Sequence, residues 1–235
     1  MRHLALALLG LMLATISTTG GEAEADLELV LAVDASGSVD DGEFELQLSG
    51  IAAGFRDPAV KAAIRAGRKG RIAVEVLIWA EPEVPKDTSG WFMLANEADA
   101  HRFADLVAHL PRHQNGATGM GEGVAAAVRS LRQNGISARR QAIDVSGDGE
   151  ETTPREMVVT MPQARGMAAL SGVTINGLAI LQDDPKLGEW YRNHVLTGET
   201  SFLMTANGYD DFAEAMRRKL LREIEDRPKL SLSSP

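Results

Sequence analysis

The chain has 235 residues, 44% of them hydrophobic and 24% charged, which suits one domain with a full core and excludes wholesale disorder. It contains no cysteine, so disulfides, thiolate metal sites and cysteine nucleophiles are excluded. A formal net charge of −9 disfavours nucleic acid and anionic membrane surfaces, which need basic patches on a partner, and is compatible with cation binding.

Arg2 and His3 precede an apolar run over residues 4–14, and a small polar stretch closes with Ala23-Glu24-Ala25. This is the n-region, h-region and A-x-A pattern of a secretory signal peptide, and the run falls short of the roughly 20 residues that span a bilayer. Residues 1–25 are expected to be removed near Asp26, giving a soluble product in the periplasm or outside the cell. No later segment is apolar for long enough to span a membrane, and no cysteine stands at the mature start to carry a lipid. Residues 26–225 are expected to form one domain and residues 226–235, which lack periodicity, a frayed tail.

Leu29, Val30, Leu31, Ala32 and Val33 form a continuous apolar segment, as in a strand buried on both faces of a parallel sheet, and the run stops at Asp34. Asp40 with Glu43 resembles a capping box, and Phe44, Leu48, Ile51 and Phe55 then recur at helical spacing until Pro58. A second short helix is predicted over residues 59–66 and a strand over residues 72–79. Residues 80–90 read as a loop, followed by a short returning strand over residues 91–94 that should pair antiparallel with its predecessor. Asn96 caps a helix with Phe103, Leu106, Val107 and Leu110 on one face, which Pro111 ends.

The glycine-rich GATGMGEG of residues 116–123 leads into a helix with Val124, Val128 and Leu131, placing Thr118 at or beside its start. A third major strand, residues 141–146, ends in Gly147-Asp148-Gly149. Thr153, Pro154 and Glu156 form a helix-start signal, and Pro162 should interrupt or end that helix. A helix over residues 163–170, a strand over 173–180, a helix over 185–196 and a strand over 201–204 follow. Phe212, Met216, Leu220 and Ile224 line a closing helix. Strands alternating with helices imply a doubly wound, mostly parallel α/β sheet.

Taken alone, Asp34, Ser36 and Ser38 read equally well as a polar turn or as a site at the carboxyl edge of a sheet, where open α/β folds bind ligands. Thr118 and Asp148 add two further loops with oxygen ligands. Mg²⁺ takes about six oxygens in octahedral geometry and usually keeps waters, so hydroxyls plus one or two carboxylates suit it. Such a shell stays one or two ligands short, and an external carboxylate could complete it.

At these positions the chain resembles the von Willebrand factor type A domain family. The DxSxS motif of that family's metal-ion-dependent adhesion site is matched by Asp34, Ser36 and Ser38, its threonine by Thr118 and its later aspartate by Asp148. The resemblance spans residues 27 to about 224. It implies a Rossmann-like, doubly wound, mostly parallel sheet with one antiparallel edge strand and helices on both faces. It also implies a non-enzymatic module that binds Mg²⁺ or Mn²⁺ and takes an acidic side chain from a protein ligand. More narrowly, the chain resembles a bacterial group of exported, single-domain members of unassigned role.

The main alternative is a Mg²⁺-dependent phosphatase of the haloacid dehalogenase type, with Asp34 as nucleophile and Gly147-Asp148-Gly149 as its later motif. Against it, Ser36 stands where the second acid of DxD belongs and Thr152 where GDGxxD has an aspartate. GATGMGEG could cradle a phosphate, but it lacks a P-loop's Lys-Ser or Lys-Thr and any basic residue. Pro111 between His109 and His113 argues against a zinc pair, and Ser36 and Ser38 lack the histidine and acid of a hydrolase. Glu150 and Glu151 read either as tuning the cation site or as a solvated turn. Met157, Met161 and Met167 read as core fillers, and Trp79, Trp91 and Trp190 as core or edge packing.

Overall fold

The computed structural model describes residues 24–152 and 158–225. The expected signal segment before residue 24, the Thr153-Pro154-Glu156 helix start, the packing of Met157 and the tail from residue 226 lie outside the described residues.

The strands are β1 (Leu27–Asp34), β2 (Ile72–Trp79), β3 (Asp87–Thr88), β4 (Phe92–Leu94), β5 (Gln141–Gly147), β6 (Thr174–Ile180) and β7 (Leu203–Ala206). The helices are α1 (Asp41–Arg56), α2 (Pro58–Ala66), α3 (Glu97–Val107), α4 (Met120–Gln133), α5 (Met161–Leu170), α6 (Leu187–His194) and α7 (Phe212–Glu225), with a 3-10 turn at Tyr209–Asp211. The sheet runs β3-β2-β1-β5-β6-β7, with β4 also against β2. The pairs β1–β2, β1–β5, β5–β6 and β6–β7 are parallel, while β3 and β4 run antiparallel to β2. This is the Rossmann-like α/β arrangement expected, with its antiparallel edge split into two short strands.

Every residue of β1 and β2 is buried, because helices cover both faces. Leu29, Leu31 and Val33 pack with α1, α2, α3 and α7, whereas Val30 and Ala32 pack with α4, α5 and α6. From β1 the chain winds outward to β2, and from β5 it winds the opposite way to β6 and β7. Helix α1, after β1, and helix α5, after β5, therefore lie on opposite faces, and the carboxyl ends of β1 and β5 flank the topological switch point. The register pairs Val33 with Ser146, which sets Asp34 and the Gly147-Asp148 turn side by side.

Local signals explain most boundaries. Asp40 and Glu43 form the expected reciprocal box at the start of α1, and Asp57 caps α2, with Pro58 at its first position. Helix α3 ends at Val107, short of the expected stop at Pro111, because the residue before a proline is pushed out of the helical region. Pro162 neither interrupts nor ends a helix: it lies in the first turn of α5, where its missing N–H costs nothing, and Gln163 Oε1 accepts from the Thr160 amide at 2.9 Å.

Residues 24 and 25 are part of the described fold. Ala25 is fully buried and bridges Ala138, the Glu24 and Ala25 amides donate to the Ser137 carbonyl, and Arg139 N–H donates to the Ala25 carbonyl at 3.1 Å. On the α7 face of β5, fully buried Lys219 lies 3.1 Å from Asp144 Oδ1 and 3.0 Å from Glu223 Oε1, with the Phe202 ring 4.4 Å from its ammonium. One buried cation thus faces two carboxylates. Burial, opposed by Lys219 and reinforced by Glu223, pushes the Asp144 carboxyl up to about 7.

Two outcomes follow from this packing. A chain begun at Asp26 is expected to melt several degrees below one begun at Glu24, since it loses these backbone bonds and the burial of Ala25; calorimetric melting of the two chains measures it. Between the ordinary value of 3.8 and about 7, folded Asp144 holds a proton that the unfolded chain has released. Stability should therefore fall as pH rises through that window, by at most about 1.4 kcal/mol per pH unit. Asp144→Asn should flatten the slope in urea unfolding at a series of pH values.

Candidate metal centre

Asp34 closes β1 with none of its surface exposed, and its Oδ1 accepts the Ser36 amide at 2.8 Å, a local turn that folds the loop back over the strand end. Ser36 Oγ lies 3.3 Å from Ser38 Oγ, and Ser38 Oγ donates to Asp148 Oδ1 at 2.7 Å, tying the loop after β1 to the turn after β5. Thr118 is delivered by the glycine-rich loop, which is anchored by Gly37 N–H on the Gly116 carbonyl at 2.7 Å and Gly119 N–H on the Ala80 carbonyl at 3.0 Å. Thr152 N–H donates to the Thr118 carbonyl, and a Cβ placed on Gly149 would lie 4.0 Å from Thr118 Oγ1. The structure thus joins Asp34, Ser36, Ser38 and Asp148 through short contacts and sets Thr118 beside the Asp148 turn.

The two carboxylates are buried and close enough to repel. Burial pushes the Asp34 carboxyl up to about 7; its bonds to Ser36 oppose the rise, the Asp148 charge adds to it and Arg112 counters it. Asp34 Oδ2 has no hydrogen-bond partner among the described residues. Leaving a carboxylate oxygen buried and unpartnered is costly, and a cation removes that cost. Among the described residues no three His, Asp or Glu side chains form a metal-holding group. The donor set here is two carboxylates with three hydroxyls, which fits a hard divalent ion that keeps its own waters.

Several side chains invisible as site residues in the sequence hold this arrangement. Arg112 Nη2 donates to the carbonyls of Ala35 at 3.3 Å, Ser36 at 3.2 Å and Val39 at 2.5 Å, its Nη1 donates to Asp41 at 2.7 Å, and it lies over the Phe44 ring. Its fork is committed to the loop backbone, so it clamps the DxSxS segment from outside. Gln47 Nε2 donates to the Asp34 carbonyl at 2.9 Å. Tyr209 donates to Asp148 Oδ2 at 2.9 Å, and Tyr191 is buried against Asp34. Burial first, then the neighbouring carboxylate charge, raises both phenols, which remain neutral donors. Arg112 comes from the loop after α3 and Gln47 from α1, while α6 and the turn before α7 bring Tyr191 and Tyr209, and nothing in their local sequence marks them.

The competing features fall to ordinary roles. Glu151 accepts from Gly121 N–H at 2.8 Å and Met161 N–H at 2.9 Å, capping the starts of α4 and α5, so it is neither a solvated turn nor a cation tuner. The glycines of GATGMGEG serve close packing: a Cβ on Gly121 would lie 2.4 Å from the Val159 carbonyl oxygen and one on Gly123 2.7 Å from the Trp79 ring. Exposed His109 and His113 bond to the Asp105 carbonyl and to Asp87, not to a shared centre. Ser36 and Ser38 contact each other and Asp148, not a histidine. The Thr152 hydroxyl donates to the Thr118 carbonyl, so no third acid completes the phosphatase set. Trp79 and Met161 are core residues, and Trp91 and Trp190 pack against the Val30 side of the sheet.

Residues 24–228 match the model of a family described as "Protein of unknown function (DUF1194)". Among curated proteins no sequence matches. Solved structures are similar in fold. The pilus adhesin SpaC from Lactobacillus rhamnosus GG is 14% identical with a TM-score of 0.59, over 85% of this chain and 31% of that one. Proximal thread matrix protein 1 from the mussel byssus, with a zinc-occupied metal-ion-dependent adhesion site, is 15% identical with a TM-score of 0.58, over 86% and 49%. The von Willebrand factor domain of the type V pilus tip protein Mfa5 from Porphyromonas gingivalis is 12% identical with a TM-score of 0.55, over 85% and 95%. The chain thus spans about a third of SpaC and half of the byssus protein, and its fold is that of a von Willebrand factor type A domain.

Replacing Arg112 with alanine is expected to cost about 2 kcal/mol and to speed amide exchange across residues 36–39 more than elsewhere, because three loop carbonyls lose a charged donor. Lysine at this position should restore little of the protection, having no fork; hydrogen-exchange mass spectrometry distinguishes the three proteins.

Proposed function

This chain belongs to the DUF1194 family and has the von Willebrand factor type A fold, and from that premise we propose that it is an exported, non-enzymatic protein-binding module dependent on a divalent cation. Asp34, Ser36, Ser38, Thr118 and Asp148 would hold Mg²⁺ or Mn²⁺, and an acidic side chain of a protein partner would complete the shell. The observation that carries this reading is the pair of buried carboxylates, Asp34 and Asp148, at the switch point, with an Asp34 oxygen left without a partner. The bound ion would supply a positive centre for that external carboxylate.

The chain's own residues prepare such a site. Ser38 donates a hydrogen bond to Asp148, which leaves its oxygen lone pairs available to a cation, and the Ser36 amide fixes Asp34 through Oδ1. Arg112 and Gln47 hold the loop backbone, so little ordering is left for the moment of binding. Export is supported by the n-region, h-region and A-x-A pattern ahead of the fold, and no described helix is long and apolar enough to cross a membrane. The adhesin and byssus proteins of like fold favour a protein partner over a small substrate.

Calorimetric titration with Mg²⁺ and Mn²⁺ tests the metal assignment. Saturable binding to one site is expected for the unmutated protein and loss of at least tenfold in affinity for Asp34→Ala, with far-ultraviolet circular dichroism unchanged. Absence of binding to the unmutated protein refutes it.

A further inference from the structure

The chain contains only two tyrosines, and both reach the site, one from each face of the sheet. Tyr209, in the 3-10 turn before α7, donates its hydroxyl to Asp148 Oδ2 at 2.9 Å with both side chains buried. Tyr191, on α6, is fully buried on the opposite face, and neither its hydroxyl nor Asp34 Oδ2 has a hydrogen-bond partner among the described residues. A Cβ placed on Gly147 would lie 2.6 Å from Asp34 Oδ2 and 3.0 Å from the Tyr191 hydroxyl. The two oxygens therefore face the same space over Gly147, a space that any larger residue would fill. No hydrogen bond joins them, so Tyr191 serves as the comparison for Tyr209: a buried phenol near the site that bonds no carboxylate.

The remaining oxygen of each carboxylate meets the serine loop, Asp34 Oδ1 through the Ser36 amide and Asp148 Oδ1 through the Ser38 hydroxyl. Asp148 is thus divided, one oxygen towards a serine and one towards a tyrosine, whereas Asp34 Oδ2 stays open. This division matters for the identity of the cation. Mg²⁺ and its octahedral relatives take one oxygen from each carboxylate at about 2.1 Å, whereas Ca²⁺ gathers six to eight oxygens and commonly uses both oxygens of a carboxylate. A phenol donating to one oxygen withdraws it from two-oxygen coordination.

We propose that Tyr209 is a specificity-determining positioning residue, which keeps Asp148 in one-oxygen geometry and so favours Mg²⁺ or Mn²⁺ over Ca²⁺. The phenol acts through the carboxylate and is not itself a ligand. The inference rests on the cation-binding reading above, and the experiment separates the two.

The full chain and its Tyr209→Phe and Tyr191→Phe variants are titrated calorimetrically with MgCl₂, MnCl₂ and CaCl₂ at one pH, and the cation-free proteins are melted. Phenylalanine keeps the ring and its packing, so melting temperatures should stay within a few degrees of one another. The unmutated protein should bind Mg²⁺ and Mn²⁺ more tightly than Ca²⁺. Tyr209→Phe should move the Ca²⁺-to-Mg²⁺ affinity ratio towards Ca²⁺ by about tenfold, on the scale of losing a residue that orients a metal ligand, whereas Tyr191→Phe should leave it unchanged. Mg²⁺ binding that depends on Asp34, with the ratio unchanged in Tyr209→Phe or shifted equally in both variants, overturns the tyrosine assignment and leaves the metal site standing. An equal loss for all three cations also overturns it, since that is what a purely structural role produces. No binding of any cation by the unmutated protein overturns both readings.

Discussion

The parallel pairing of β1 with β5 is the constraint on which the rest of this structure depends. In that register Val33 meets Ser146, and the next residues of each strand carry Asp34 and Asp148 into the same buried edge. Two like charges held this close in a low-dielectric setting raise the free energy of the fold unless something answers them. Most of what surrounds the switch point is that answer: the Ser36 amide, the Ser38 and Tyr209 hydroxyls, the Arg112 clamp on the loop carbonyls, and an Asp34 carboxyl that burial has pushed up to about 7. These groups moderate the repulsion without removing it, because Asp34 Oδ2 stays unpartnered.

The same strand carries the cost further into the interior. Asp144, Ser146 and Asp148 alternate along β5 and all face α1 and α7. Asp148 meets Tyr209, Ser146 Oγ donates to Gln47 at 3.4 Å, and Asp144 meets Lys219. Gln47 turns its other end to the Asp34 carbonyl at 2.9 Å, so one glutamine joins the ends of both central strands. This polar ladder runs through what would otherwise be an apolar interface between the sheet and α7. Breaking a buried ion pair costs more than forming it gains, so Lys219 and its two carboxylates fix the seat of α7 against alternatives. The seat of α7 in turn fixes Tyr209, which begins the turn leading into that helix.

Much of this was legible in the sequence, and the part that was not has a common cause. Runs such as 29–33 and 72–79 signal strands because their faces are covered, and the capping chemistry at Asp40 and Asn96 marks helix starts from residues only three apart. The motif at Asp34, Ser36 and Ser38 is local, and Thr118 and Asp148 stand in glycine-flanked turns that announce themselves. Prolines were read less well: Pro111 acts through its predecessor and releases α3 early, and Pro162 opens a helix that it was expected to break. Glu151 looked like part of an acidic turn, whereas it caps two helix starts more distant in sequence than any local rule reaches. Arg112, Tyr191 and Tyr209 carry no local signal, because their roles exist only once the loop after α3 has met the start of α1 and α6 and α7 have closed over the sheet.

The balance between binding and turnover rests on the second position of the motif. A phosphoryl-transferring aspartate needs an acid beside it to protonate the leaving group, and that position is Ser36, whose hydroxyl is engaged with Ser38 at 3.3 Å. Hydroxyls at neutral pH keep their proton and take up a second one poorly, so they are weak general acids and bases, but they are good neutral ligands for a hard cation. Two carboxylates with three hydroxyls leave a bound divalent ion close to neutral overall, so adding one further carboxylate from outside costs little in repulsion and gains a bond. Had Ser36 or Thr152 been acidic, the shell would already be anionic and an acidic partner would be repelled. Hydroxyls in place of acids thus suit the proposed binding of an acidic side chain better than chemistry on a phosphate.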